Sequence, residues 1–340
     1  MIVIPIGIES LGVRGSCFFV ETADCNILID PSVSLCPKRD RLPPHIMEIA
    51  CSWYTRLKIL HYAEKADILI QTHYHGDHFT LFQNRNYEFA TSQIAKRIYS
   101  PEKRIFAKDP HIQLSRNQQL RAKALWDLKG LTVEPADDKT IEIGDTKLVF
   151  SKSLWHGNTN APMGTVVAVS IQRDNAITTF SSDCNGPGTE EATQFLIDSQ
   201  ADVCFVDGPS SYLKNRIKEK QVDTAFKRLL TVAETAKLVV DHHAPRDLYW
   251  KETQEKYGSS FPTCAKYFGV QPFCAEARRR ELFNDFPFPR NFYSQFFKNP
   301  DKVITQLEET MKTIIEKYQW DKLALAMSEY NDLKQQISRL

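Results

Sequence analysis

Six short runs of mostly apolar and β-branched residues are spread along the chain, and each ends on an aspartate or a histidine. Runs of this length and composition predict β-strands. Because they alternate with stretches of helical periodicity, they predict a layered α/β fold, in which functional groups collect where strands end. The strand runs are NILID (Asp30), DILIQTH (His73), KLVFSKSLWH (His156), AITTFSSD (Asp183), VCFVD (Asp207) and KLVVDHH (His242 and His243). The helical stretches lie at roughly 44–64, 115–128, 188–200, 213–236 and 300 to the end.

The composition predicts a protein with a substantial core. A chain of 340 residues with 42% hydrophobic residues is long enough for one large α/β domain or two ordinary ones. Its eight cysteines form no CxxC pair, and several lie inside apolar runs, which is typical of reduced, buried cysteines in a cytosolic protein. The sequence shows neither a secretory leader nor an apolar run of membrane-spanning length. We therefore expect a soluble, cytoplasmic protein without a membrane partner.

The stretch QTHYHGDHF, residues 71–79, crowds four potential metal ligands behind a predicted strand. His73 and His75 are two apart and can point to the same side of an extended loop, while Asp77 and His78 can reach a second ion. Zinc and similar borderline cations prefer this mixture of nitrogen and oxygen donors. Gly76 relieves the steric crowding between them. The alternative is a solvent-exposed histidine-rich loop without a function.

The HxHxDH pattern of this stretch resembles the signature of the metallo-β-lactamase superfamily of metal-dependent hydrolases. The resemblance covers roughly residues 1–275. It implies an α/β fold, the αβ/βα sandwich of two mixed β-sheets flanked by helices, with the metals at one edge. The chain also resembles an uncharacterised prokaryotic branch of that superfamily, which brings no substrate with it, through ESLGVRGSCFFVET, NILIDPSVSLCPKR, THYHGDHF, SSDCNGP and DHHAPRD.

The resemblance also implies a role for each candidate site residue. Asp183 would bridge two metal ions, and Asp30 would support the metal-binding loop without touching metal. Of the two histidines after Asp241, His242 matches the superfamily position better, and His243 would line the pocket. Plainer roles stay open, namely a turn residue for Asp183, a structural histidine for His156 and a strand-end turn for Asp30. The implied ligands are His73, His75 and His156 for one ion, and Asp77, His78 and His242 for the other.

The chemistry that the resemblance implies is hydrolysis assisted by two divalent ions. A hydroxide that bridges the ions would attack the substrate, and Asp77 would orient it or receive its proton. Zn²⁺ is the first expectation, although Mn²⁺ or Fe²⁺ would also suit these ligands. Diiron relatives usually carry glutamate in place of the second histidine, so His75 favours a hydrolase. A protein that binds metal without turnover is the remaining alternative.

Local charge suggests a small anionic substrate. Residues 80–125 carry nine basic and three acidic side chains, a net charge of +6, which forms either a solvated surface compensated elsewhere or a wall facing the substrate. Lys38, Arg39, Arg41 and Arg246 add to this charge. We expect a phosphodiester or nucleotide-like substrate, with a carboxylic ester, lactone or thioester as the alternative. Nucleic acid is not favoured, since no RNA-binding module is recognisable.

The C-terminal region predicts a separate structural unit. We divide the chain into a metallo-β-lactamase-like hydrolase domain, residues 1–285, and a helical extension, residues 286–340, whose main helix would be introduced by Asn299 and Pro300. An apolar stripe on this extension would pack on the domain or serve a homo-oligomer. The stripe consists of Val303, Leu307, Met311, Ile314 and Ile315.

Overall fold

The computed structural model describes residues 1–213, 215–292, 294, 298 and 300–337. Two six-stranded mixed sheets form its centre. The first sheet is built from β1 to β6 in sequence order, with β1 to β3 antiparallel and β3 to β6 parallel. Its strands are β1 (Ile2–Ile8), β2 (Ser16–Glu21), β3 (Asn26–Ile29), β4 (Ile68–Gln71), β5 (Arg104–Ala107) and β6 (Thr132–Pro135).

The second sheet repeats this plan with the order β14-β13-β12-β11-β8-β7. Its strands β7, β8, β11 and β12 pair antiparallel, and β12 to β14 pair in parallel. The strands are β7 (Thr140–Ile143), β8 (Thr146–Phe150), β11 (Val169–Arg173), β12 (Ala176–Phe180), β13 (Val203–Val206) and β14 (Lys237–Val240). A separate two-stranded hairpin is formed by β9 (Leu154–Trp155) and β10 (Thr165–Val166).

Aromatic side chains join the two sheets face to face. The ring of Phe18 in the first sheet lies 5.0 Å from that of Phe180 and 4.9 Å from that of Phe205, both in the second. All three belong to one buried apolar cluster. Contacts of this kind hold two sheets as layers of one core.

Helices cover the outer faces of both sheets, so the molecule has the αβ/βα sandwich that the sequence predicted. Helix α1 packs on β1 and β3, and α5 packs on β14. Among the helices that the structure describes, none is both long enough and apolar enough to cross a membrane. The helices are α1 (Ile46–Lys65), α2 (Ser92–Ile98), α3 (Arg116–Trp126), α4 (Glu190–Asp198), α5 (Glu219–Ala233), α6 (Trp250–Lys256), α7 (Cys264–Tyr267), α8 (Arg279–Asp285), α9 (Pro300–Tyr318) and α10 (Met327–Ile337).

The C-terminal helices lie against α1. Leu307, Met311 and Ile314 of α9 are buried in the main apolar cluster, with Val303 and Ile315 partly buried beside them. This contact buries the outer face of α1, which explains why most of that helix is inaccessible to solvent. Asn299, the predicted cap, lies outside the described residues. The division of the chain at residue 285 and a homo-oligomer through these helices stay predictions.

One buried lysine on α1 predicts a stability that depends on pH. Lys58 is 4% exposed, and the hydrogen bond that the structure gives its ammonium group is a long one, 3.4 Å to the carbonyl oxygen of Pro5. Burial lowers the pKa of Lys58 to about 8. Between about pH 8 and pH 10.5 the unfolded chain therefore binds more protons than the folded chain, so the free energy of unfolding rises with pH. Below about pH 8 the buried ammonium group destabilises the fold by its full amount.

We expect Lys58→Met to raise the free energy of unfolding at pH 7 by about 3 to 3.5 kcal/mol, the equivalent of that pKa shift. Urea unfolding at pH 7 and pH 10 measures it, and the gain should shrink at the higher pH. Lys65→Met on the same helix is the control, because Lys65 is 49% exposed. Equal stability of wild type and Lys58→Met at pH 7 would contradict the prediction.

Candidate metal centre

The candidate ligands come together at the carboxyl ends of parallel strands from both sheets. His73 follows β4, Asp183 follows β12 and His242 follows β14, while His156 follows the short strand β9. β4 is fully buried, and β12 and β14 each end on a buried apolar residue, so the loop residues that follow these strands emerge at the same edge. The loop of residues 72–79 crosses this edge, so both halves of the chain contribute to one cluster.

The first group of converging atoms contains His73, His75, His156 and Asp183, whose potential ligand atoms all lie within 4.8 Å of one another. His73 Nε2 lies 3.1 Å from His75 Nδ1. His156 Nε2 lies 3.2 Å from Asp183 Oδ2, and His73 Nε2 lies 3.7 Å from the same oxygen. These are the three histidines that the sequence assigned to one ion, together with the predicted bridging carboxylate.

The second group contains Asp77, His78 and His242, again within 4.8 Å of one another. His78 Nε2 and His242 Nε2 face each other at 3.1 Å. Asp77 Oδ2 lies 3.9 Å from His242 Nε2. The arrangement offers two nitrogens and one carboxylate oxygen, a donor set that suits zinc, manganese or iron.

Asp183 lies between the two groups. Its Oδ2 faces the first group, while its Oδ1 lies 3.0 Å from His78 Nε2 and 3.4 Å from His242 Nε2 in the second. Oδ1 is buried and makes no hydrogen bond to any described residue. A buried carboxylate oxygen of this kind needs a partner, and a metal ion surrounded by the same nitrogens would supply one. The residues therefore fit a pair of divalent ions.

The charge states of three of the candidate histidines agree with this fit. Burial lowers the pKa of His75 to about 3 and that of His242 to about 3, and it brings the pKa of His73 well below the usual value. These rings are therefore neutral, which is the form that binds metal. Burial acts in the same direction on His78, but the carboxylates of Asp183 and Asp30 outweigh it and raise the pKa of that ring.

Asp30 holds the loop of residues 72–79 in place. Its Oδ2 accepts from His78 Nδ1 at 2.8 Å and from Thr72 Oγ1 at 2.5 Å, and its Oδ1 accepts from the backbone N–H of Thr72 at 2.8 Å. The bond to Nδ1 leaves Nε2 of His78 directed at the cluster. Asp30 thus contacts a candidate ligand and its loop, as expected for a supporting carboxylate.

Asp241 supports the loop that carries the late histidines. It accepts hydrogen bonds from the hydroxyl of Ser10 and from the backbone N–H groups of His242 and Cys264. His242 adopts a left-handed φ of 97°. Its Nδ1 lies 2.7 Å from the carbonyl oxygen of Gly15. Because a carbonyl only accepts, Nδ1 carries the proton, and the unprotonated Nε2 faces His78 Nε2.

His243 also reaches the cluster. Its Nε2 lies 3.4 Å from Asp183 Oδ2, and its Nδ1 lies 2.8 Å from Asp207 Oδ2. Both histidines of the DHH motif are therefore inside the site, with His242 nearer the second group. Sequence reasoning assigned no role to Asp207, although the run VCFVD ends on it.

Arg246 connects Asp77 to the protein interior. Its Nη2 lies 3.6 Å from Asp77 Oδ2, and its Nε donates to Glu9 Oε2 at 2.8 Å. Burial alone would raise the pKa of Asp77, but the positive charge of His78 outweighs it and holds that pKa well below the usual carboxyl value, with the charge of Arg246 adding to the effect. Asp77 is therefore ionised beside the second group.

The basic stretch of residues 80–125 is largely compensated. Among its arginines, Arg121 reaches the metal-binding loop and donates to the carbonyl oxygen of Tyr74 at 2.9 Å. Five other basic side chains of the stretch pair with carboxylates. These pairs are Arg97 with Glu64, Lys103 with Glu102, Arg104 with Glu134, Lys108 with Asp137 and Lys123 with Asp127. Most of the local charge is thus a solvated or paired surface and not a wall of the site.

Two solved structures resemble this chain with low scores. The isothiocyanate hydrolase from Delia radicum gut bacteria is 12% identical with a TM-score of 0.46, and covers 76% of this chain and 93% of its own. Igni18, a metallo hydrolase from Ignicoccus hospitalis, is 13% identical with a TM-score of 0.40, and covers 77% and 93%. We draw no conclusion about activity from these two structures.

Sequence relatives give a much stronger match, although no family model matches the chain. The UPF0282 protein of Pyrobaculum calidifontis is 36% identical over 296 residues, which covers 84% of this chain and 96% of the relative. The UPF0282 protein of Methanopyrus kandleri is 35% identical over 290 residues, covering 83% and 99%. Identity of this extent over nearly the whole length of archaeal relatives shows that the chain belongs to the UPF0282 family.

Proposed function

We propose that the protein is a metal-dependent hydrolase that holds two divalent ions and acts on an anionic phosphodiester or nucleotide-like substrate. The observation that carries the proposal is the placement of Asp183, whose two oxygens face two separate groups of ligating side chains. A site with one structural ion has no use for a carboxylate shared in this way. Zn²⁺ is the first candidate, with Mn²⁺ and Fe²⁺ next.

Each ion would be held by its own set of residues. His73, His75 and His156 would hold one ion, and Asp77, His78 and His242 the other, with Asp183 shared. Bound divalent ions supply Lewis acidity and make water nucleophilic at neutral pH. Asp77, ionised and 16% exposed, is the carboxylate placed to accept a proton from the attacking water. The nitrogen Nε2 of His243, oriented by Asp207, adds a polar contact at the edge of the cluster.

The proposal is tested by a hydrolysis panel on protein loaded with zinc or manganese. The substrates are bis(p-nitrophenyl) phosphate, cyclic nucleotides, short oligonucleotides, lactones and thioesters. Turnover of phosphodiesters would support the proposed substrate class, and turnover of lactones or thioesters alone would replace it while keeping the metal chemistry. Retention of two ions per chain without any turnover would identify a metal-binding protein instead.

In the same panel we expect Asp77→Ala to lower kcat by about 10²- to 10³-fold, the range for loss of a positioned proton acceptor. Metal content, measured by elemental analysis, should fall by one ion or less. Asp109→Ala, at a carboxylate away from the cluster, serves as the control. Phosphodiester turnover that survives in Asp77→Ala would count against the proposed site.

A further inference from the structure

Two arginines outside the ligand groups share one buried carboxylate. Arg14 donates to Glu276 through Nε at 2.9 Å and through Nη2 at 2.6 Å. Arg39 Nη1 lies 3.7 Å from the same oxygen that receives Nη2 of Arg14. Glu276 therefore holds two guanidinium groups side by side, with Arg14 as its closer partner.

This arginine pair lies next to the metal centre, on the side of Asp77. Arg14 precedes Gly15, whose carbonyl oxygen accepts from His242. Arg39 donates through Nη2 to the carbonyl oxygen of Arg246 at 2.7 Å, and the guanidinium of Arg246 contacts Asp77. Each arginine is thus connected to the site through one residue, Arg14 through Gly15 and Arg39 through Arg246.

The loop that presents Arg39 is held rigidly at both of its ends. Arg279 is fully buried and donates to the carbonyl oxygens of Cys36 at 2.8 Å and Leu42 at 2.9 Å. Its guanidinium is fixed in turn by two bonds of 2.7 Å to Glu48. Arg39 also stacks over the ring of Tyr212, 5.0 Å from its centroid. A cation positioned in advance loses little entropy when it binds an anion.

The solvent-accessible part of the group formed by Arg14, Arg39 and Glu276 carries positive charge. The side chains of Arg14 and Arg39 are 24% and 19% exposed, whereas Glu276 is 5% exposed. With Arg246 included, three guanidinium groups face the two carboxylates of Glu276 and Glu9. In the part of the chain that the structure describes, Nη1 of Arg14 and Nε of Arg39 make no hydrogen bond. These donors remain available to a ligand, and planar guanidinium donors match phosphate oxygens.

We propose that Arg14 and Arg39 form a subsite for a second phosphate group of the substrate, separate from the phosphate that the metal centre would cleave. The assignment of the cleaved group rests on the proposed function. The substrate class is then a nucleotide diester that carries a further phosphate, and not a diester with a single charge.

Two substrates with the same scissile bond test this subsite. Thymidine 5′-(p-nitrophenyl phosphate) and its 3′-phosphorylated form differ by one phosphate. For wild type we expect KM to be about tenfold lower for the phosphorylated form, the factor that one charged hydrogen bond gives. Arg39→Gln should remove this advantage, so that the KM values of the two substrates become equal.

Lys38→Gln is the matched control, because Lys38 is an exposed cation in the same loop. It should leave the preference intact. Equal effects of Arg39→Gln and Lys38→Gln, or an equal loss with both substrates, would show general charge attraction and overturn the subsite. Arg14→Gln is a weaker test, because it leaves the buried Glu276 with less compensation.

A binding experiment separates failure of the subsite from failure of the proposed function. Calorimetric titration of the metal-loaded protein compares thymidine 3′,5′-bisphosphate with thymidine 5′-monophosphate, and requires no turnover. About tenfold tighter binding of the bisphosphate by wild type, lost in Arg39→Gln, supports the subsite even if no diester is cleaved. Equal affinities in wild type reject it even if diesters are cleaved.

Discussion

Asp183→Asn should lower the metal content of the protein from the proposed two ions per chain to one or none, and should lower turnover by about 10³-fold. Asparagine keeps the size of the side chain but replaces one carboxylate oxygen by a nitrogen that donates hydrogen bonds and does not bind a cation. It also removes the negative charge that faces both ligand groups. Elemental analysis after dialysis and the rate on the best panel substrate measure the two effects.

The matched control for this prediction is Asp174→Asn. Asp174 is an exposed turn residue with a left-handed φ of 54°, a conformation that asparagine tolerates. We expect this variant to keep both ions and full activity. Circular dichroism of both variants shows whether the fold is intact. Retention of two tightly bound ions by Asp183→Asn would remove the basis for a shared carboxylate.

Arg279→Met should lower the free energy of unfolding by about 3 to 5 kcal/mol, the cost of breaking one side of a buried ion pair. The side chains of Arg279 and Glu48 are 0% and 3% exposed. Removal of the guanidinium leaves the carboxylate of Glu48 buried, and the donor that the described residues still offer it is the backbone N–H of His45. It also frees both ends of the loop that carries Arg39. Guanidinium chloride unfolding measures the loss.

Two further variants test whether the buried ion pair is the cause of the lost stability. The double variant Glu48→Gln with Arg279→Met should recover much of the loss, because no uncompensated charge remains. Arg278→Met removes the neighbouring arginine, whose partner Glu281 is 47% exposed, and should cost no more than about 1 kcal/mol. A similar loss from Arg278→Met would mean that the buried pair is not the cause.

Much of the site was predictable because its signal is local. Buried strands are readable as short apolar runs, and the residue that follows each run meets its counterparts at one edge of a layered fold. Asp30, His73, His156, Asp183 and His242 were found in this way, and the structure brings their side chains into one cluster. Their roles as metal ligands or as supporting groups stay predictions until ions are measured.

The partners of the buried charges were not predictable, because they lie far apart in sequence. Arg14 meets Glu276 across 262 positions, and Arg246 meets Glu9 across 237. For the same reason the basic stretch of residues 80–125 looked unbalanced, although carboxylates beyond it, such as Asp137, neutralise part of its charge. A local window contains no information about such pairings.

Helix boundaries were predicted less well than helix positions. The expected helix from residue 213 begins only at Glu219, after a loop that places Tyr212 beside Arg39. The C-terminal stretch is broken between α9 and α10 by a turn at Asp321–Leu323. In both places tertiary contacts, and not helix propensity, decide where the helix begins or ends.

The donors proposed for each ion are divided between the two halves of the chain. His73 and His75 belong to the half that forms the first sheet, whereas His156 and Asp183 come from the half that forms the second. Likewise, Asp77 and His78 belong to the first half and meet His242 of the second. A polypeptide whose layers have not yet docked therefore offers a cation only a fragment of its coordination shell. Tight uptake of the ions would then report that the two layers have met in the correct register.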